Sequence, residues 1–230
     1  MQFDVITIFP HLFDSFLNES LIKKSIQKKL NKICVHDLRK WSEGKRRQVD
    51  DRPYGGGPGM VLMAKPIIKA IKSLKQKDNK KSKVILLSPA GKQFNQKMAE
   101  KFSKLNQLIL ICGRYEGIDA RVEKIVDEKI SVGPYILSGG ELAAMVIIES
   151  VSRLVPGYLG NPQSLKEETY SAKGNGQSEY PQYTRPEVLE INGKKYRVPK
   201  VLLSGNHKKI KEWREKKIGG LDKTLKHKGH

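Results

Sequence analysis

The stretch Ser131 to Glu141, S-V-G-P-Y-I-L-S-G-G-E, joins a short β-like run (Glu128 to Val132) to a long apolar helical one. It packs Gly133, Gly139, Gly140 and Pro134 around the trio Tyr135, Ile136 and Leu137. Glycine allows positive φ and close approach of a ligand to the backbone. The trio would wall an apolar slot. Two more segments have the same character, Ser88-Pro89-Ala90-Gly91 and Gly113-Arg114-Tyr115-Glu116-Gly117, each behind an apolar run. Any one of these is equally well a connection that needs glycine for its geometry. Three at the carboxyl ends of neighbouring parallel strands would converge on one small-molecule pocket.

A fourth segment has different chemistry. Trp41 to Met60 combines Lys45, Arg46, Arg47 and Arg52 with Asp50, Asp51, Tyr54 and five glycines, Gly55 and Gly59 among them. Met60 stands where a dinucleotide fingerprint needs its last glycine, and the G-K-[ST] ending of a P-loop is missing. A basic loop that folds against nucleic-acid phosphate fits better.

Charge supports a polyanionic partner. The formal net charge is +20. Residues 1–83 carry 19 Lys/Arg against 8 Asp/Glu, residues 84–160 carry 9 against 8, and residues 161–230 carry 16 against 8. Basic ends around a neutral middle suit a nucleic acid gripped outside a site for something smaller. The bland alternative is a lysine-biased composition that merely solvates the surface. Cys34 and Cys112 lack C-x-x-C or metal-ligand spacing and read as free thiols of a reducing cytoplasm, with no metal site expected. No apolar run reaches bilayer-spanning length, so no membrane partner is expected, and the N-terminus reads as a first strand.

The elements that must position these loops follow from periodicity. Phe3–Phe9, Ile33–Leu38, Val84–Leu87, Leu108–Cys112 and Glu128–Val132 read as strands. Leu12–Leu17, Ser20–Leu30, Pro66–Lys77, Phe94–Phe102, Asp119–Asp127 and Leu142–Leu154 read as helices. Strand alternating with helix argues for an α/β domain with a parallel sheet. Pro156 to Pro186 breaks the pattern and reads as linker and loop. His207 to Lys217 reads as a basic helix behind the cap-like Ser204-Gly205-Asn206.

These motifs together resemble the bacterial tRNA (guanine-N1-)-methyltransferase family, TrmD, of the SPOUT methyltransferases. The resemblance rests on R-P-Y-G-G-G-P-G-M, L-S-P-A-G, C-G-R-Y-E-G-I-D-A-R-V, V-G-P-Y-I-L-S-G-G-E-L, R-L-V-P-G-Y-L-G and P-Q-Y-T-R-P-E-V, in that order over nearly the whole chain. It implies a deep trefoil knot in the α/β domain (residues 1–160), a linker (161–178) and a small, basic, mainly helical tRNA-binding domain (179–230). It implies a cytoplasmic homodimer with shared active sites, S-adenosylmethionine as methyl donor, magnesium dependence, and a tRNA whose guanine just 3′ of the anticodon receives a methyl at N1.

By the same resemblance the donor would lie against Ser88, Pro89, Gly113, the run Val132 to Leu137 (Val132, Gly133, Pro134, Tyr135, Ile136, Leu137), Gly139 and Gly140. Tyr115 and Glu116 would face the guanine; Glu116 paired with Arg114 or Arg121 is the structural alternative. Arg46, Arg47, Arg52, Gly55 and Gly59 would meet the tRNA. Arg153 matches the family's active-site arginine, and Glu168 its catalytic aspartate. The family reads D-S-F where this chain reads Glu168-Thr169-Tyr170, and Glu167 stands beside it. The competing functions are a non-catalytic RNA-binding protein on the same scaffold and a methyltransferase acting on ribosomal RNA.

Overall fold

A computed structural model describes residues 1–75, 81–161, 177–178, 180–217 and 219–220. The chain divides into two compact units, Met1–Gly160 and Asn161–His230.

The first unit is built on five parallel strands: β1 (Gln2–Thr7), β2 (Lys32–Asp37), β5 (Ser82–Gln93), β6 (Gln107–Cys112) and β7 (Glu128–Ser131), in the order β2-β1-β6-β5-β7. Parallel strands need crossovers, and crossovers cover both faces, so such strands read as near-continuous apolar runs. On one face Phe3, Val5, Ile85, Leu87, Leu108, Leu110 and Ile130 pack against Ala144, Ile147 and Val151 of α5 (Glu141–Ser152). On the other, Ile6, Val84, Leu86, Ile109 and Ile111 pack against Ile67 and Ile71 of α3 (Ala64–Leu74). The helices α1 (Asp14–Asn18), α2 (Ser20–Gln27) and α4 (Gln96–Phe102) complete the layers; Asn95 opens α4 by accepting the Met98 N–H.

Three local readings need correction. Val84–Leu87 is only the middle of a twelve-residue strand, β5. Its pairing with β7 shifts between Leu87 and Lys92, and both of these residues partner Ile130. Ser88–Gly91 is therefore an excursion within a strand rather than a terminal loop, and a Cβ on Gly91 would lie 2.4 Å from the Ile130 nitrogen. Asp119–Asp127 forms only a 3-10 turn, Ala120–Lys124, which Asp119 caps by accepting from the Arg121 N–H. Finally, the long polar loop is pinned by a small antiparallel pair, β3 (Asp50–Asp51) with β4 (Val61–Leu62).

In the second unit β8 (Gln177–Ser178) pairs with β11 (Gly219–Gly220). The hairpin β9 (Val188–Ile191) and β10 (Lys194–Arg197) turns at Asn192-Gly193, both with positive φ. The helices α6 (Lys200–Leu203) and α7 (His207–Lys217) follow. Asn206 accepts the Lys209 N–H at the start of α7. The expectation of a mainly helical unit omitted the hairpin, although Asn-Gly is the strongest short hairpin signal.

Candidate active site

A cleft of about 370 Å³ opens beside the Ser88–Gly91 excursion of β5 and the carboxyl ends of β6 and β7. Its wall takes Ser88 and Pro89 from the first loop, Gly113 to Gly117 from the second, and Val132, Gly133, Tyr135, Ile136, Leu137, Gly139 and Gly140 from the third. Leu86, Leu87, Ile118 and Ile130 add apolar floor. Backbone polar groups facing apolar walls are what a nucleoside-sized ligand needs. Of the residues expected around the donor, Pro134 alone lies outside this wall.

A buried charge pair locks the loops together. The Arg114 Nε–H donates to Glu141 Oε2 at 2.9 Å, and the Thr7 hydroxyl donates to Oε1 at 2.6 Å. Glu141 is 1% exposed and opens α5, where the helix N-terminus favours negative charge. The Arg114 guanidinium also lies 4.7 Å over the Phe9 ring. A Cβ on Gly139 would fall 2.1 Å from Arg114 Nε, and one on Gly140 would fall 2.7 Å from the Cys112 Cα. The two glycines are therefore required by close approach. Burial, with the Glu141 charge nearby, pushes the Cys112 thiol well up and leaves it inert.

The Gly-rich loop docks beside the cleft. The Glu116 N–H donates to the Met60 carbonyl at 3.0 Å, and the Leu62 N–H donates to the Gly117 carbonyl at 3.0 Å. The Glu116 side chain rests against Gly59, whose φ is +79°. Tyr115 adopts φ +59°; partial burial and then the Asp50 carboxylate hold its hydroxyl above the ordinary value, so it stays a donor at neutral pH. Arg114 pairs with Glu141 and Arg121 with Asp119, not with Glu116. Arg46, Arg47 and Arg52 are exposed on this loop, and Gly55 has φ +86°.

Arg153 is not part of the cleft wall. It caps the C-terminal end of α5, donating its N–H to the Glu149 carbonyl. The cleft meets the N-terminal end of the same helix, about 18 Å away at ~1.5 Å per residue. Glu168, like Glu167, lies outside the described residues. Sequence reading missed the Thr7–Glu141–Arg114 network; its signal was an acid directly after Gly139-Gly140 at the head of an otherwise apolar helix.

The tRNA (guanine-1)-methyltransferase model, TrmD, matches residues 1–228. The tRNA (guanine-N(1)-)-methyltransferase of Dictyoglomus turgidum is 54% identical over 225 residues, covering 98% of this chain and 87% of the relative. Those of Clostridium novyi and Listeria monocytogenes are 50% and 48% identical, covering 97% and 94% of this chain and 89% and 86% of the relatives. With a three-loop cleft at the sheet edge and matches of this length, the chain belongs to the TrmD family of tRNA (guanine-1)-methyltransferases.

Proposed function

We propose that the protein methylates N1 of the guanine just 3′ of the anticodon in tRNA. The observation that carries this reading is the cleft: three loops of a family member converge on a space of nucleoside size with backbone polar groups in its wall. Membership in a methyltransferase family implies S-adenosylmethionine, whose sulfonium methyl is the group transferred. The chain's residues fit it: Leu87, Ile118, Ile136 and Leu137 would enclose the adenine, and the loop peptides would read its edge. The cleft would hold donor and acceptor in line, which does much of the work of displacement.

Guanine N1 carries a proton at neutral pH and is a poor nucleophile until it leaves. We assign its removal to Glu168, with Glu167 as the neighbouring alternative, since a carboxylate beside N1 suits a general base. Negative charge then grows on O6, and Arg153 would stabilise it. Tyr115 and Glu116 stand at the cleft beside the basic loop, where the target base would enter.

The separation of Arg153 from the cleft along α5 supports a homodimer whose second copy completes each site. The exposed Leu142 and Val146 on α5 and Leu12 beside it supply an apolar face for that contact. Membership in the TrmD family supports a SPOUT trefoil knot in the first unit. The basic second unit would grip tRNA in the cytoplasm, and no described helix is long and apolar enough to cross a membrane. Magnesium wants a hard oxygen set; the metal-ligand cluster among the described residues contains a thiol and an imidazole. It does not suit magnesium, and no step is assigned to that ion.

Labelled methyl transfer to a tRNA transcript with guanine 3′ of the anticodon, compared with one lacking that guanine, tests the reading. Incorporation into the first alone is expected. Incorporation into ribosomal RNA instead, or into nothing, would overturn it.

A further inference from the structure

The carboxylate of Asp4 is 1% exposed inside the sheet, on the α3 side. Its Oδ2 accepts from Gln107 Nε2 at 2.8 Å and from Gln2 Nε2 at 2.7 Å. Gln107 is itself fixed, accepting from the Ser82 hydroxyl at 2.8 Å and donating to the Leu74 carbonyl at 2.9 Å. The other oxygen, Oδ1, stands 2.9 Å from His36 Nε2 on the edge strand β2. Parallel pairing sets Cys34 directly opposite Asp4, two residues before His36 and so on the same face. The Trp41 ring meets the His36 ring edge-on at 5.8 Å. A polar line thus crosses four strands, Ser82, Gln107, Asp4, His36, and ends at a thiol.

We propose that Asp4, Cys34 and His36 form a binding site for a borderline divalent transition ion, with zinc as the probe. Their ligand atoms all lie within 4.8 Å of one another. Two ligands about 2.0–2.1 Å from one zinc stand roughly 3 to 3.5 Å apart in a tetrahedral set, close to the Asp4–His36 separation. The Cys34 sulfur lies within 4.8 Å of both other ligand atoms, and its single side-chain torsion is the freedom by which it would approach. Sulfur, nitrogen and oxygen ligands together favour zinc-like ions over magnesium or calcium. The outer shell is already built, because Gln2 and Gln107 hold the carboxylate with Oδ1 aimed at the imidazole. His36 is partly exposed, which leaves an entry path and a fourth position for water.

The Asp4 carboxylate is buried with His36 as its ion-pair partner, and a divalent ion here would set positive charge directly beside it. Lys32, two residues before Cys34 on β2, is exposed. On binding, the thiol loses its proton to solvent, and the imidazole presents Nε2 with its proton on Nδ1. The site is separate from the cleft, so it stands whether or not the methylation reading does.

Full-length protein stripped with a chelator is titrated with zinc by calorimetry and with cobalt(II) by absorption. One high-affinity equivalent per chain and a near-ultraviolet sulfur-to-cobalt charge-transfer band are expected. Cys34→Ser should abolish the band, Cys112→Ser should leave it, and His36→Gln and Asp4→Asn should each weaken zinc tenfold or more. If Asp4→Asn fails to fold, the exposed-side variants Cys34→Ser and His36→Gln decide the matter. Absence of binding below millimolar zinc, a band that survives Cys34→Ser, or affinity indifferent to His36→Gln would overturn the site and leave Asp4–His36 a plain ion pair.

Discussion

At the level of single residues, the pair formed by Arg114 and Glu141 is the joint on which the cleft depends. Removing one partner of a buried ion pair strands the other charge, at a cost of about 3–5 kcal/mol. Arg114→Met should therefore lower unfolding stability by that order in a denaturant titration. The double variant Arg114→Met/Glu141→Gln should recover part of it, because no charge is then left buried. Donor affinity should fall in both, since the second and third loops lose their common anchor. Equal stability of the single and double variants would show that the pair is not coupled. Glu168→Gln acts on a different step. It should leave donor binding by calorimetry near wild type and cut single-turnover methylation by about 10²-fold or more. A rate within a few-fold of wild type, with Glu167→Gln inactive, would move the base by one position.

At the level of elements, close backbone approach explains why the first excursion, Ser88–Gly91, must end in glycine. A Cβ at Gly91 would meet main-chain atoms of β7, which cannot yield as a side chain tip can. Gly91→Ala should cost about 1–3 kcal/mol or more, measured as a drop of several degrees in thermal midpoint. Much of this architecture was legible in the sequence. The five apolar runs became the five strands because a doubly covered sheet leaves little polar signal to misread. The three segments met because the excursion within β5 stands level with the carboxyl ends of its parallel neighbours β6 and β7. What stayed hidden was non-local. Nothing local to Ser88–Gly91 says that the chain returns to Ile130. Nothing in Arg114 says that its partner is 27 residues on. The Asn192-Gly193 turn is the opposite case, a purely local signal that went unused. Within the basic loop, the phosphate reading has its own test. Arg46→Ala/Arg47→Ala should weaken tRNA binding and reduce the slope of log affinity against log salt by about 1.4–1.8, at ~0.7–0.9 for each phosphate no longer neutralised. An unchanged slope would remove these arginines from the interface.

At the level of the whole molecule, the position of Arg153 turns the assembly into a kinetic question. If each site takes its cleft from one copy and Arg153 from the other, two dead variants can rescue each other. Arg153→Ala removes one contribution. Gly113→Val fills the cleft, and its Cβ meets Ile118 at the ordinary distance of 3.6 Å, so the chain should still fold. Equal amounts of the two, dissociated and reassociated at random, give about half mixed dimers by the two-fold symmetry of the pairing. Each mixed dimer holds one site with both contributions intact and one with neither. The mixture should therefore regain about a quarter of wild-type methylation, while each variant alone stays near zero. Adding Val146→Glu to both chains should abolish the rescue. Val146 is 46% exposed, so that change should barely move the stability of a single chain while placing a charge in the apolar face. A mixture that stays inactive, although sedimentation finds mixed dimers, would mean that each chain completes its own site with its own Arg153.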